Sequence, residues 1–342
     1  MIKSLISKYR AIKRAGFLKR SSTTNYKYAI IGAGEHATTQ LYPCIWHLGI
    51  PVTRICTKTL SNAENAASRF AGCRGTDKLT DILNDASIRG VFVATPPATQ
   101  ATIVQQLLQA GKSVYAEKPL GYATTELNAV LGAAMTSVLR VGFQRRYAPI
   151  ARLTKKIMQQ PFSYQYRYRI GAYPEGNALY ELFIHPIDYC LFLFGAATIE
   201  HVSKIKQAAG ETFFIQLNHA GIKGLLELST MYSWNNSEEV LEINQPDATI
   251  VSNYPSELIK YKKPAQLFGV PMEKVMEQAI EKKSYLQPNS SIPSFQQHSA
   301  NQLGFYPAIE SFFNATEQQE TSEAEYRHLS ALYLLLDQLQ QA

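Results

Sequence analysis

The sequence predicts an α/β protein in which a domain with a parallel sheet precedes a domain with an open, largely antiparallel sheet. From residue 26 to about residue 143, short apolar strands alternate with helical patterns, which indicates a parallel sheet covered on both faces. Beyond residue 160, strand-like runs are separated by turn signals, and the first of them alternates strictly between aromatic and polar side chains. The length of 342 residues suits two domains. We therefore predict an arm at 1–25, a first domain at 26–145 and a second domain at 146–342.

The predicted elements of the first domain follow from short apolar runs and from helical spacing. Its strands are expected at 28–31, 52–56, 90–94, 113–116 and 139–143. Its helices are expected at 38–48, 61–70, 78–83, 98–110 and 125–135. Ser61 is the predicted N-cap of the second helix, because serine favours that position.

The second domain is expected to begin with a strand at 162–170, which places aromatic side chains on one face and polar side chains on the other. A helix at 178–194 follows, and Pro186 is expected to bend it because proline cannot donate to the carbonyl of Leu182. Further strands are predicted at 212–218, 224–229, 240–244 and 248–252. A Pro- and Ser-rich connection at 287–294 then leads to helices at 308–314 and 323–339.

The turn after the first strand is a G-x-G-x-x-A motif that predicts dinucleotide binding. Gly32 permits a tight reversal, Gly34 permits close approach of a pyrophosphate, and Ala37 permits close packing of helix on strand. The helix N-terminus behind the turn, which includes Glu35 and His36, offers N–H groups and a positive dipole end.

Charge and cysteine content exclude several classes of protein. The formal net charge is +7, but seven Lys and Arg residues and no acidic residue lie in 1–20, so the rest of the chain is close to neutral. This argues against a nucleic-acid-binding protein. The four scattered cysteines form no C-x-x-C pair, which argues against a zinc site and suits a reducing cytosol. In the absence of a long uncharged apolar run, we expect a soluble, cytoplasmic protein without an integral membrane segment.

The arm has the pattern of a basic amphipathic helix. Apolar residues recur at helical intervals: Ile2, Leu5, Ile6, Tyr9 and Ile12. Such a helix can lie on an anionic membrane or on an acidic partner. We favour packing on its own domain or on a second subunit, and we expect that deletion of residues 1–20 leaves cofactor affinity unchanged.

Four ordered motifs over residues 26–340 carry a resemblance to a known family. They are IIGAGEHA at 30–37, VFVATPPATQATIVQQLLQAGKSVYAEKPL at 91–120, VGFQRRYAP at 141–149 and GNALYELFIHPIDYCLFLFG at 176–195. The chain resembles the glucose–fructose oxidoreductase / inositol dehydrogenase (Gfo/Idh/MocA-type) family of two-domain NAD(P)-dependent oxidoreductases. The resemblance implies a Rossmann domain followed by an α/β domain whose open sheet often forms the subunit interface.

The resemblance also implies roles for particular residues. Lys118 matches the lysine that lies beside the nicotinamide and the reacting carbinol. The remaining positions that it implies for the cofactor are Thr95, Pro96, Gln100 and Glu117. The chain departs from the family at Gln100, where histidine is frequent, and at Glu181, where the family has aspartate. Both departures leave the substrate open.

Glu181, His185 and Asp188 lie at i, i+4 and i+7, on one face of the predicted helix. Histidine titrates near neutral pH, so His185 is the predicted base, and Lys118 is predicted to donate to the reacting oxygen. Glu181 is expected to hold the imidazole or Lys118, or to bind a sugar hydroxyl. Asp188 is expected to be structural or to support the substrate site. No second histidine stands nearby, so we predict no metal.

The cofactor and substrate predictions rest on charge. NAD enzymes usually carry an acidic residue at the end of the second strand, but here Thr57 and Lys58 stand there, which favours NADP over NAD. Arg145, Arg167 and Asp188 are the candidate substrate residues. Of the four arginines at 145, 146, 167 and 169, at least two are expected in ordinary ion pairs.

The predicted function is NAD(P)-dependent hydride transfer at a hydroxyl or carbonyl carbon of a sugar, sugar derivative or nucleotide sugar. Two alternatives remain: a glycoside hydrolase of the same fold that retains its nicotinamide, and a non-catalytic cofactor-binding protein. Because a one-sided sheet needs a cover, we expect a homodimer or homotetramer formed through the second sheet.

Overall fold

The computed structural model describes residues 2–18, 24, 26–134, 137–277, 281–287, 297–320 and 322–342. The chain forms two compact units. Unit 1 comprises Met1–Glu117, Gly132–Arg140 and Ile309–Ser322, and unit 2 comprises Lys118–Leu131, Val141–Ala308 and Glu323–Ala342. Within the described residues, no helix combines the length and apolar character needed to cross a membrane.

The helices are α1 (Ile2–Leu18), α2 (Tyr42–His47), α3 (Leu60–Ala67), α4 (Thr80–Leu83), α5 (Pro97–Gln109), α6 (Thr124–Ala133), α7 (Pro149–Ile157), α8 (Ile184–Phe194), α9 (Ser299–Gln302), α10 (Phe305–Gln318) and α11 (Glu323–Gln341). The strands of the first sheet are β1 (Lys27–Ile31), β2 (Val52–Cys56), β3 (Arg74–Thr76), β4 (Ile88–Val93), β5 (Ser113–Ala116) and β6 (Leu139–Val141). Those of the second are β7 (Ser163–Arg169), β8 (Thr198–Gln207), β9 (Gly210–His219), β10 (Ile222–Ser229), β11 (Glu238–Gln245), β12 (Ala248–Asn253), β13 (Glu257–Lys262) and β16 (Lys282–Leu286), while β14 (Gln266–Leu267) and β15 (Val270–Pro271) form a short hairpin.

Unit 1 is a six-stranded sheet in the order β3-β2-β1-β4-β5-β6, and its registered pairs are parallel. Strands β1 and β4 are neighbours although two strands separate them in sequence, so the strand order reverses beside β1. In open parallel sheets, ligands bind at the carboxyl ends of the strands where this reversal occurs. The predicted parallel sheet is confirmed, and its reversal lies where the glycine turn leaves β1.

Unit 2 contains an eight-stranded sheet in the order β16-β13-β12-β11-β7-β10-β9-β8. Strands β7 and β10 are parallel, whereas the other registered pairs are antiparallel. The alternation in β7 buries Tyr164, Tyr166 and Tyr168 on one face. Tyr164 stacks on Phe194 at the end of α8, with ring centroids 4.2 Å apart. The predicted open, largely antiparallel sheet is confirmed.

The units are not the two continuous segments that the sequence analysis predicts. Residues 118–131 and 141–145 belong to unit 2, and 309–322 belong to unit 1. The physical reason is the apolar face of α10. Phe312 is buried with its ring centroid 5.1 Å from that of Phe92 in β4, so this late helix completes the first core.

Several local predictions are wrong. Helix α3 begins at Leu60 after an N-cap at Thr59, so Ser61 is not the cap. Strands β3, β8, β13 and β16 and helix α7 were not predicted; β8 is mostly exposed and therefore lacks a core-facing alternation. Most of the predicted connection at 287–294 lies outside the described residues.

Helices α2 and α8 are each preceded by one turn of π-helix. Leu179–Phe183 forms such a turn before α8, in which Pro186 is the third residue. Pro186 lacks the N–H that would reach the carbonyl of Leu182, and a π turn absorbs such an interruption. The turn at Ala37–Leu41 precedes α2, where Pro43 occupies the second position.

Candidate functional site

The glycine turn of unit 1 has the geometry that the motif predicts. Gly32 has a φ of +102°, and an added Cβ would lie 2.0 Å from the Ala94 carbonyl oxygen, so only glycine fits. A Cβ on Gly34 would meet no protein atom within 4 Å. Protein packing therefore does not require glycine at position 34, whereas close approach of a ligand would. Ala37 is buried, as close packing of helix on strand requires.

The carboxyl ends of β4 and β5 are joined by one buried amide. Gln100 donates from Nε2 to the carbonyl of Glu117, and its Oε1 accepts from the Thr95 amide at 3.4 Å. His36 of the turn lies close to the same strand end, with Nε2 3.4 Å from Glu117 Oε1. The structure therefore brings together four of the predicted cofactor residues. Pro96 caps α5 between them.

The hydroxyl of Thr95, at the end of β4, could bind a polar ligand. The Oγ1 of Thr95 is buried and has no hydrogen-bond partner among the described residues. A buried, unsatisfied polar group is costly unless a ligand or water completes it. Together with the open space at Gly34, this observation shows that the residues present fit a bound dinucleotide.

The carboxyl end of β2 presents one exposed cation. Thr57 uses its hydroxyl within its own chain, donating to the carbonyl of Thr59 at 2.7 Å. The Lys58 side chain is exposed beside it. Of the two residues predicted for the 2′-phosphate, Lys58 therefore remains the stronger candidate.

A cavity beside the turn includes residues that sequence reasoning missed. It measures about 670 Å³ and is lined by Ala33 and Thr38 together with Asn62, Arg69 and Trp46. Asn62 and Arg69 lie on or just after α3, and neither belongs to a recognisable sequence motif. They reach the turn only because residues of α2 and α3 line the same cavity.

In unit 2, the lysine of the second motif is bound by the main chain just before α8. Lys118 donates from Nζ to the carbonyl oxygen of Glu181. His185 is buried in the first turn of α8, and its ring meets that of Phe143 edge-on with centroids 6.2 Å apart. The structure therefore collects the three predicted catalytic residues within one unit.

The Glu181 carboxylate has partners that the sequence analysis did not name. It accepts from the Tyr122 hydroxyl at 2.8 Å, the Tyr173 hydroxyl at 2.9 Å and the Asn177 amide at 2.8 Å. Burial, followed by the hydrogen bond to Glu181, raises the pKa of Tyr122 to about 12, so this phenol stays a donor near neutral pH. Lys118 donates to the main-chain oxygen of Glu181, and the roles expected for the Glu181 carboxylate towards the imidazole or a sugar hydroxyl stay predictions.

Asp188 lies at the centre of a buried ion-pair network. Arg146 donates to it in a bidentate arrangement, with Nε 2.9 Å from Oδ2, and His328 Nε2 lies 2.9 Å from Oδ1. Arg146 also pairs with Glu325 at 3.0 Å. Burial raises the pKa of Asp188, but Arg146 and His328 outweigh it and leave the pKa below its ordinary value. This network favours a structural role for Asp188 over contact with substrate.

The arginines predicted for the substrate are also committed to carboxylates. Arg145 is buried and binds Glu239 through two hydrogen bonds of 2.7 and 2.8 Å. Arg167 pairs with Glu238 at 3.1 Å and Glu242 at 3.0 Å on the outer face of the sheet. Arg169 likewise pairs with Glu227 and with Glu238. All four arginines are therefore in ion pairs with carboxylates, where the sequence predicts at least two, and these pairs favour structural roles.

Unit 2 also has a cavity next to the tyrosine that binds Glu181. It measures about 650 Å³, and its walls include Tyr173, Asn177, Lys204 and Lys206. Lys204 forms an ion pair with Glu211 at 3.1 Å. Of these two lysines, Lys206 is therefore the better candidate to bind an anionic ligand in the cavity. Among the described residues, no group of three His, Cys, Asp or Glu side chains could hold a metal ion.

Residues 26–143 match the model of GFO_IDH_MocA, described as an oxidoreductase family with an NAD-binding Rossmann fold. The match covers the predicted Rossmann domain of this chain and supports the predicted family. The inositol 2-dehydrogenase of Salmonella typhimurium is 27% identical over 153 residues, which are 41% of this chain and 46% of that protein. The chain spans less than half of the length of the first curated relatives that it matches, 42% and 46%.

Solved structures of a dehydrogenase and a reductase have the same fold. A dehydrogenase from Chromobacterium violaceum aligns with a TM-score of 0.79 at 16% identity, covering 93% of this chain and 95% of that one. A 3-ketoreductase from Actinomadura kijaniata, solved in complex with NADP and TDP-benzene, aligns with a TM-score of 0.71 at 16% identity over 92% and 96% of the two chains. The predicted family and fold class are confirmed.

Proposed function

We propose that this family member is an NADP-dependent oxidoreductase that transfers hydride at a hydroxyl or carbonyl carbon of a sugar, sugar derivative or nucleotide sugar. The observation that carries the proposal is the Lys118–Glu181–His185 arrangement in unit 2. A cation and an imidazole are the two groups that alcohol oxidation needs beside the hydride acceptor: one to stabilise the developing alkoxide and one to accept the hydroxyl proton. Lys118 follows directly on Glu117, the last of the predicted cofactor residues in unit 1.

The roles of the residues follow from their chemistry. When bound, the nicotinamide cofactor supplies the hydride acceptor or donor, and the turn at Gly32 and Gly34, with Thr95, would hold it. His185 accepts the hydroxyl proton in oxidation and returns it in reduction. Lys118 donates a hydrogen bond to the reacting oxygen. The Glu181 carbonyl orients that ammonium group, and the tyrosines at 122 and 173 fix the segment that carries the carbonyl.

The cavity beside Tyr173 supports our preference among the possible substrates. A volume of about 650 Å³ is within the range of cavities that bind drug-sized ligands, and it exceeds the needs of one small polyol. Lys206 offers a charge for a phosphate group. We therefore favour a nucleotide sugar over a free sugar.

Turnover measurements test this function. The purified protein is mixed with NADP and, in separate reactions, with inositol, a free aldose and a nucleotide sugar, and the absorbance of reduced nicotinamide is followed. Net cofactor reduction with one of these is the expected result. Release of a sugar substituent without net reduction would instead indicate the hydrolase, and bound cofactor without turnover of any of them would indicate a non-catalytic protein.

Lys58→Ala is expected to weaken NADP binding by about tenfold and to leave NAD binding unchanged, because an ammonium pairs with the 2′-phosphate that only NADP carries. Dissociation constants for both cofactors measure this. Lys27→Ala is the matched control. Lys27 is also exposed, but it is the first residue of β1, whereas Lys58 follows the carboxyl end of β2. Equal or tighter binding of NAD that Lys58→Ala does not alter would contradict the preference for NADP.

We also propose that the outer face of the unit 2 sheet pairs with a second copy of the chain. Phe214 and Leu225 are exposed on that face, in register with Glu227 and Gln216 of neighbouring strands. A dimer or tetramer is the expected mass in solution at micromolar concentration. Phe214→Glu with Leu225→Glu should shift it towards the monomer, whereas Phe268→Glu, at an exposed position outside the sheet, should not. A monomeric wild-type mass would refute the proposal.

A further inference from the structure

The arm of this protein forms a helix with exposed apolar side chains in its first half. Helix α1 covers 17 residues, which corresponds to about 26 Å of helix. Ile2, Leu5, Ile6 and Tyr9 are 74%, 62%, 47% and 59% exposed, and every described side chain from 2 to 11 is exposed. At these described positions the apolar side chains are therefore open to solvent, and packing of the helix on its own domain or on a second subunit stays a prediction.

These exposed apolar side chains share one face of the helix. Spacings of three and four residues bring Ile2, Leu5, Ile6 and Tyr9 into one stripe. Ser4 and Ser7 lie on the opposite face, and Lys3, Lys8 and Arg10 lie between the two. An exposed aliphatic stripe in water is unfavourable unless a surface covers it.

The positive charge of the arm indicates which kind of surface can cover the apolar stripe. Residues 1–20 carry seven Lys and Arg and no acid, and they account for the whole formal charge of +7. A second copy of α1 would bring like charges together. Nucleic acid would satisfy the cations but leave the isoleucines and leucine in water. An anionic lipid surface satisfies both, because acyl chains take the apolar stripe and headgroups take the long cationic side chains.

We propose that α1 is an interfacial helix that attaches this oxidoreductase to anionic membrane surfaces without crossing them. The proposal is independent of the catalytic assignment, because the arm lies outside every residue set named for cofactor or substrate. Since the rest of the chain is nearly neutral, α1 supplies the electrostatic attraction, and the attachment should depend steeply on the anionic lipid content and on ionic strength.

Vesicle co-sedimentation of the full chain tests the proposal. Mixed phosphatidylcholine–phosphatidylglycerol vesicles should bind the protein at least about tenfold better than pure phosphatidylcholine vesicles, and salt at about 0.5 M should abolish most of the difference. Equal binding to both vesicle types, or binding to neither, would overturn the proposal.

Matched variants separate interfacial insertion from simple charge attraction. Two double variants change the net charge equally. Leu5→Glu with Ile6→Glu alters the apolar face, and Ser4→Glu with Ser7→Glu alters the polar face. The apolar-face pair should lose nearly all vesicle binding, while the polar-face pair should retain a measurable fraction. Equal loss in both variants would show electrostatic attachment without insertion and would contradict the proposal.

Two further measurements complete the test. NADP affinity should be unchanged in all variants and after deletion of residues 2–20, which confirms that the body of the protein remains folded. The solution mass without lipid should also be unchanged by Leu5→Glu with Ile6→Glu. A shift of that mass would assign the apolar stripe to contact between copies and would overturn the proposal.

Discussion

Replacement of His185 by alanine is expected to lower kcat by about 10²–10⁴-fold while NADP affinity stays close to that of the wild type. This range is typical for loss of a positioned group that transfers a proton in the transition state. His185 is buried in the first turn of α8, in the same unit as the ammonium group that would stabilise the reacting oxygen. Lys118→Ala should have an effect of similar size for the electrostatic reason.

Steady-state kinetics with the true substrate and direct titration with NADP measure these effects separately. Glu181→Gln is an informative control because it keeps the main-chain carbonyl that binds Lys118 and changes only the carboxylate. It should lower kcat by about tenfold or less. Near wild-type turnover in both His185→Ala and Lys118→Ala, with normal cofactor binding, would show that the proposed catalytic set is wrong.

Asp188→Ala is expected to lower the free energy of unfolding by about 3–5 kcal/mol. Removing one partner of a buried ion pair is strongly destabilising, and here the buried Arg146 guanidinium would keep only its pair with Glu325. Arg167→Ala is the matched control, because its pairs with Glu238 and Glu242 are partly exposed and should cost about 1 kcal/mol or less. Denaturant unfolding of both variants gives the comparison.

The pH dependence of stability provides a second readout for Asp188. Its folded pKa is lowered, so the unfolded state binds a proton at a higher pH than the folded state does. The stabilisation is therefore fully present above the unfolded pKa of about 3.9 and is lost as the pH falls through the folded pKa. Asp188→Ala should lack this acid-dependent part. Identical acid unfolding profiles of the variant and the wild type would contradict the assignment.

The residue pattern by itself determined the fold class and the positions of the candidate site. A G-x-G-x-x-A turn between an apolar strand and a helix is a local arrangement, so the nucleotide turn at Gly32 and Gly34 could be read directly. The spacing of Glu181 and His185 likewise placed them on one helical face, because helical periodicity depends only on near neighbours. These local signals do not say which side-chain atoms take part in contacts.

Only the tertiary structure decided the partners of the charged and aromatic residues. Arg146 and Asp188 are 42 residues apart, and Arg146 and Glu325 are 179 apart, so no local pattern connects them. Tyr122 reaches the Glu181 carboxylate across 59 residues, and α10 joins the first core through Phe312 although it lies near the end of the chain. Long-range packing sets these contacts, because burial and charge compensation act between residues that meet only when the whole chain has folded.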